Sequence, residues 1–149
     1  MMWKTEKDFG KSLMAKFKKE GMDCMRIETA GTITGCPDLF IQGKGTDAFI
    51  ELKRVHVELP AMCDYRVSSL AVPWRPGQQA WAQRYKQCHL NKVSWTFVDC
   101  DDGIAIIPMD KYFEHDVVMF SDNCLFWVTE KEYRTLSLTK IMHDIGGVV

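Results

Sequence analysis

The sequence has 149 residues, of which 46% are hydrophobic and 26% are charged, with a formal net charge of −1. These values are typical of a single globular domain, here residues 1–149, and exclude a disordered or low-complexity chain. No apolar run reaches the ~18 residues of a membrane-spanning helix and the first residues lack a secretory signal, so we expect a cytoplasmic protein.

The cysteines and the charge distribution exclude some kinds of site and permit others. No two of the six cysteines lie within four positions of each other, so the sequence has no zinc knuckle, and we expect reduced thiols. Residues 1–98 carry 15 Lys and Arg against 10 Asp and Glu, whereas residues 99–149 carry 4 against 10. This split permits a basic face beside an acidic flank.

The first third of the chain predicts a helix followed by strands. Phe9, Leu13 and Phe17 share one face of a helix over residues 5–19, with Thr5 as its N-cap and Gly21 as its stop. A short strand over 23–30 and a Thr/Gly-rich turn over 31–35 follow. The apolar runs 39–41 and 48–53 then predict paired strands, joined by a hairpin loop over 42–47.

The rest of the chain predicts a mixture of helices and strands after an irregular loop over residues 55–74. We expect a helix over 78–90, strands over 93–98 and 104–107, a short helix over 109–115, a strand over 124–128, and a terminal helix over 130 to about 145. The order of these elements predicts an α/β or α+β sandwich around a mixed sheet.

Two acids and a lysine on the predicted hairpin are the candidate metal-binding and catalytic residues. Pro37 fixes the backbone directly before Asp38, and Glu51 and Lys53 share one face of the next strand, while Leu52 points into the core. Asp38, Glu51 and the Leu52 carbonyl offer the hard oxygen ligands that suit Mg²⁺ or Mn²⁺. Lys53 would orient or deprotonate a water, or neutralise charge on a phosphorane. The alternative from spacing alone is an exposed hairpin with a solvated Glu–Lys or Asp–Lys pair.

Three ordered motifs make the sequence similar to a known nuclease superfamily. They are Gly35-Cys-Pro-Asp-Leu39, Phe49-Ile-Glu-Leu-Lys-Arg54 and Arg75-Pro-Gly-Gln-Gln-Ala-Trp81. They resemble the PD-(D/E)xK nucleases, and more narrowly the virus-type replication-repair nuclease (VRR-NUC) and Holliday junction resolvase-like branches. The likeness covers about residues 5–108, and the C-terminal extension 109–149 lies outside it. It implies a restriction-endonuclease-like core with a central mixed β-sheet flanked by helices, in the order αβββαβ.

The resemblance also implies roles for individual residues. Asp38, Glu51 and Lys53 match the catalytic core, and Gln78 would reach the site from the second helix. Glu6 matches an acid early in the first helix, which would bind an outer metal or a water, and Trp81 is expected to pack rather than to contact substrate.

One departure from the family is a longer segment between the Glu-x-Lys strand and the glutamine helix, residues 54–74. This segment is expected to form a lid, a DNA-entering loop or a dimer contact, in which His56, Arg66 and Arg75 would touch phosphates. The acidic tail beyond residue 108 is expected either to pack on the sheet or to mediate self-association.

The leading hypothesis is therefore a Mg²⁺- or Mn²⁺-dependent DNA endonuclease, structure-selective for junction, flap or other branched DNA, and homodimeric because one small active site cuts one strand. The resemblance implies viral or phage replication, repair or recombination, in a bacterial or virus-infected host cell. Two alternatives remain open. One is a non-catalytic nuclease-fold module that binds DNA or a partner protein, and the other is a restriction-type enzyme that reads a short sequence.

Overall fold

The computed structural model describes residues 2–27, 35–57, 69–119 and 124–146. In chain order, the helices and strands are α1 (Glu6–Lys19), β1 (Asp23–Arg26), β2 (Leu39–Gly43), β3 (Thr46–Arg54), β4 (Ser69–Ala71), α2 (Gln78–Cys88), β5 (Trp95–Asp99), β6 (Gly103–Pro108), β7 (Val117–Met119), β8 (Phe126–Thr129), α3 (Glu130–Tyr133) and α4 (Leu138–Gly146).

A central mixed sheet organises the described part of the chain. This sheet has six strands, in the order β1-β2-β3-β5-β6-β8. Strands β4 and β7 form a separate two-stranded sheet. Strands β3 and β5 are parallel, whereas the other neighbours in the large sheet are antiparallel. A parallel pair needs a crossover connection, and here that connection carries β4 and α2. The predicted mixed sheet flanked by helices is confirmed.

The two faces of the sheet are covered by different elements. On one face, Ile50 and Leu52 of β3 lie in a core that contains Phe9 and Leu13 of α1. On the other face, Val98 of β5 belongs to a second core, to which β4, β7 and α2 contribute. Because strand side chains alternate, Glu51 and Lys53 point to this second face.

The first helix and the hairpin follow the sequence-based predictions closely. Thr5 caps α1, since its Oγ1 accepts a hydrogen bond of 3.0 Å from the Asp8 N–H. The pairing of β2 with β3 extends to Gly43 and Thr46, so the turn is two residues long and shorter than the predicted loop. Its residues, Lys44 and Gly45, have φ of 52° and 79°, the positive values that favour a tight hairpin turn.

Two predictions for the second half of the chain and the loop before it are wrong. The segment 55–74 is not irregular throughout, because residues 69–71 form β4 and pair with β7. The helix predicted over 109–115 is absent, and a single 3-10 turn, Glu114–Asp116, is found there instead. His115 and Asp116 have positive φ, a left-handed backbone conformation that an α-helix cannot contain.

The C-terminal extension packs on the sheet, which was one of its two predicted roles. Strand β8 pairs with β6, and Leu138 and Met142 of α4 are fully buried in the first core. The single terminal helix predicted over 130–145 is wrong, since α3 and α4 are separate. Ser137 interrupts them by accepting a hydrogen bond of 3.2 Å from the Lys140 N–H at the start of α4.

Some predictions lie wholly or partly outside the described residues. Strand β1 ends at Arg26, and Ile27 is described but lies outside the strand. Residues 28–30 of the strand predicted over 23–30 and residues 31–34 of the turn predicted over 31–35 are outside the described residues. Within the described ranges no helix has both the length and the apolar character to cross a membrane. The five described cysteines are free thiols, with Cys100 and Cys124 buried and Cys88 exposed.

Candidate active site

A β-bulge presents Asp38 at the start of β2. The ladder pairs Leu39 with Ile50, yet the Asp38 N–H also donates to the Ile50 carbonyl at 3.1 Å, so two residues oppose one. The Asp38 carboxylate then accepts a hydrogen bond of 2.9 Å from the Leu52 N–H. In an extended strand the N–H and C=O of one residue point to the same side, so the Leu52 carbonyl is directed toward Asp38 as well.

Glu51 and Lys53 form a buried, hydrogen-bonded pair on the adjacent strand. Lys53 Nζ lies 3.3 Å from Glu51 Oε1, and each residue is only 7% exposed. Gln78, the first residue of α2, donates a hydrogen bond of 2.7 Å from its side-chain amide to the same Glu51 oxygen. The amide oxygen of Gln78 in turn accepts from the Arg75 N–H at 2.8 Å. The exposed surface pair that spacing alone allowed is therefore wrong.

The surroundings of Glu51 favour its protonated form. Burial and the negative charge of Asp38 raise the pKa of Glu51 to about 8, although Lys53 opposes the shift. The pKa of Glu6, on α1, is also raised, first by burial and then by the charge of Asp38, while Lys53 and two arginines lower it. Glu6 is thus within electrostatic range of the cluster, but no hydrogen bond ties it to Asp38 or Glu51 in the described contacts.

The structure adds Cys36 to the surroundings of these carboxylates. Burial raises the pKa of its thiol, and the charges of Glu51 and Asp38 raise it further. The signal in the sequence was its position next to Pro37-Asp38, which did not by itself mark a functional residue. Because its pKa is raised, Cys36 has little thiolate with which to compete for a metal.

The remaining residues singled out in the sequence have different surroundings. His56 pairs with Asp101 in the turn between β5 and β6, at 3.3 Å. Trp81 packs against Phe49, with ring centroids 5.3 Å apart, as predicted for a packing residue. Arg75 is exposed beside Gln78, and Arg66 lies outside the described residues.

The residues fit a hard divalent cation. Among the described residues no group of three or more His, Cys, Asp or Glu side chains is arranged as a metal site. Mg²⁺ does not need one, since it is bound through one or two carboxylates and keeps several waters. Asp38 and Glu51 supply two carboxylates whose repulsion a cation would relieve, and the Leu52 carbonyl supplies a further oxygen. The chemistry of this donor set therefore suits Mg²⁺ or Mn²⁺.

Comparison with known proteins identifies the fold. The sequence matches no family model and no curated protein sequence. The chain shares its fold with a Holliday junction resolvase. The structure of Hjc from the archaeal hyperthermophile Archaeoglobus fulgidus aligns with a TM-score of 0.53 and 15% sequence identity, over 91% of this chain and 98% of that one. The expected fold of the resolvase and restriction-endonuclease type is thereby confirmed.

Proposed function

We propose that this protein is a metal-dependent endonuclease that hydrolyses phosphodiester bonds in branched DNA. The observation that carries the proposal is the buried Glu51–Lys53 pair on β3. Gln78 donates a hydrogen bond to Glu51, and the charge of Asp38 acts on the same carboxyl group. Burying a carboxyl group and an ammonium is costly, and replacing such a pair with apolar residues is often neutral or stabilising. A module that only binds DNA would have no use for this arrangement.

The residues take roles that follow from their contacts. Asp38, Glu51 and the Leu52 carbonyl would hold Mg²⁺ or Mn²⁺, which when bound polarises the scissile phosphate and lowers the pKa of a water. Lys53 is held by Glu51 at 3.3 Å, where its ammonium would donate to the attacking water or to the phosphate oxygens. Gln78 fixes the orientation of Glu51, and Glu6 would bind a water at the outer side of the site.

The substrate and the family branch follow from the shared fold and from the sequence motifs. The shared fold with a Holliday junction resolvase favours junction DNA, and the absence of a recognisable base-reading motif in the sequence favours selection by shape. The motifs in the sequence favour the VRR-NUC branch and hence viral or phage replication and repair. We propose a homodimer, because two active sites are needed to cut both strands at one branch.

The test is a cleavage assay with four-way junction, flap, single-stranded and linear duplex DNA, in Mg²⁺, Mn²⁺ or EDTA. We expect one branched form to be cut only with metal, and Lys53→Ala to abolish cutting because it removes the ammonium. Lys11→Ala, at an exposed position on α1, is the matched control and should cut normally. Light scattering on the same samples measures the oligomeric state.

The outcomes separate the competing hypotheses. Binding to DNA without cutting in any metal would replace the endonuclease with a non-catalytic module. Cutting of linear duplex at one short sequence would instead indicate a restriction-type enzyme. Equal activity of Lys53→Ala and the wild type would contradict the assignment of the site.

A further inference from the structure

A second cavity lies beside the candidate active site, across the start of α2. It has a volume of about 230 Å³, and its walls are residues 74–77, Gln79 and Ala80 of α2, Tyr112 and Asp116. Trp74 lines this cavity and also the small cavity that contains Glu51 and Gln78. The two spaces therefore share a wall residue, and a ligand in the outer cavity would lie near the candidate active site.

The wall opposite α2 is fixed although it contains almost no regular structure. The buried Gln79 side chain accepts from the Phe113 N–H at 2.8 Å, and its amide group donates to the Phe113 carbonyl at 2.9 Å and to Asp116 Oδ1 at 2.7 Å. The Phe113 ring also stacks on Trp74, with centroids 5.7 Å apart. These contacts hold the backbone directly after Tyr112 in one position.

Tyr112 is exposed even though its neighbours are held. Its surface is 60% accessible, while the adjacent Phe113 is 4% accessible. An aromatic ring presented on a rigid backbone offers a face for stacking, with little conformational entropy left to lose. The cavity is smaller than the 300–1,000 Å³ of pockets for drug-sized ligands, so it suits a single planar ring system.

Arg75 supplies a positive charge at the same cavity. Its backbone N–H is fixed by Gln78, and its side chain is exposed to solvent. Its positive charge also lowers the pKa of Glu6, so Arg75 lies within electrostatic range of the candidate active site as well as in the lining of the cavity. The negative charge of Asp116 is bound to the Gln79 amide. An anionic group bound by Arg75 would accordingly lie between the cavity and the site.

We infer that this cavity binds one nucleotide of the DNA substrate adjacent to the scissile phosphodiester, with its base stacked on Tyr112 and its phosphate on Arg75. The inference rests on the proposed nuclease function and adds a specificity element to it. A base can reach such a cavity only when it is unpaired or splayed from its partner. The cavity therefore favours substrates with an unpaired nucleotide beside the cut, as at a branch.

The test combines variants with substrates that each lack one base near the cut. We expect Tyr112→Ala to raise the KM for intact branched DNA about 5- to 150-fold, the range that stacking of one base supports, while Tyr112→Phe retains the wild-type value. For the wild type, one abasic position should raise KM by the same factor. On that abasic substrate, Tyr112→Ala should match the wild type because the lost contact is the same one.

Leu90→Ala is the matched control, since Leu90 is 98% exposed and lies beyond the other end of α2. Thermal unfolding of each variant establishes that it folds. If the wild type cleaves DNA and Tyr112→Ala has the same KM, the nucleotide site is overturned while the proposed function stands. A loss in Tyr112→Ala that is equal on intact and abasic DNA at every position would also overturn it. No cleavage by the wild type would overturn the proposed function together with this site.

Discussion

The Glu51 carboxyl makes the stability of the metal-free protein depend on pH. Its pKa is about 8 in the folded protein and about 4.5 in an unfolded chain. The folded state therefore keeps a proton that the unfolded state loses, so the contribution is fully present below pH 4.5 and is lost as pH rises through 8. We expect the free energy of unfolding in EDTA to fall by up to about 5 kcal/mol over this range.

The variant Glu51→Gln isolates this effect, since it keeps the size of the side chain and can still accept from Gln78. Urea unfolding in EDTA between pH 4.5 and 8.5 should show that the variant gains stability over the wild type as pH rises. Added Mg²⁺ at pH 8 should stabilise the wild type more than Glu51→Gln, because the cation favours the ionised carboxylate. Parallel pH curves for the two proteins would contradict the raised pKa.

At the scale of elements, Gly35 sets the distance between the segment before β2 and the start of α2. A Cβ atom at Gly35 would lie 2.3 Å from the Gly77 carbonyl oxygen, and Gly35 has a φ of +86°. Gly35→Ala must therefore push the segment before Asp38 away from the start of α2, besides straining the backbone. We expect at least a tenfold loss of kcat/KM in DNA cleavage and a lower Tm.

Gly45→Ala is a matched control for this prediction. Gly45 has a similar φ of +79°, but a Cβ atom there would meet nothing within 4 Å. Its replacement should cost about 1–2 kcal/mol of stability from backbone strain alone and leave cleavage intact. If both variants lost activity equally, backbone strain rather than the close approach to Gly77 would explain the result.

At the scale of the whole molecule, Asp99 joins the beginning of the chain to the centre of the sheet. Its buried carboxylate accepts hydrogen bonds from the Met2 N–H at 2.8 Å and the Trp3 N–H at 3.3 Å, and it pairs with Arg54 at 3.5 Å. Arg54 also donates to the Trp3 carbonyl at 2.5 Å. Removal of one partner from a buried pair leaves the other uncompensated, so we expect Asp99→Ala to lose about 3 kcal/mol of stability.

Urea unfolding measures this loss, and Asp110→Ala serves as the control, because that side chain is exposed and should cost less than about 0.5 kcal/mol. Asp99→Asn keeps one oxygen acceptor, so its stability should lie between those of Asp99→Ala and the wild type. A wild-type unfolding curve for Asp99→Ala would indicate that packing of Trp3 on Phe9 holds this segment without the carboxylate.

The sequence predicts the parts of the molecule that depend on local patterns. The face of α1, the Leu39–Arg54 hairpin and the shared side of Glu51 and Lys53 follow from periodicity and turn residues, and the structure confirms them. The position of Gln78 came from the resemblance to known nucleases, since nothing local to α2 shows that it would meet Glu51. The bulge at Asp38 is a matter of backbone pairing and leaves no mark in the sequence.

Long-range contacts explain the predictions that are wrong. Met109 and Phe113 have helical spacing, but the Phe113 backbone is bound by Gln79, which lies 34 residues away. Strands β4 and β7 have three residues each and exist by pairing with one another, so neither carries a strand signal of its own. The exposure of Tyr112 follows from the same contacts and could not be read from composition.

The two-residue turn at Lys44 and Gly45 has a consequence for how the chain folds. The turn joins strands whose partners Leu39 and Ile50 are 11 positions apart, whereas the parallel pairing of Ile50 with Trp95 spans 45 positions. The entropy of loop closure disfavours the longer contact, and hairpins form within about 1–10 μs. We expect Asp38, Glu51 and Lys53 to meet early during folding, and Gln78 to reach them only when the crossover docks.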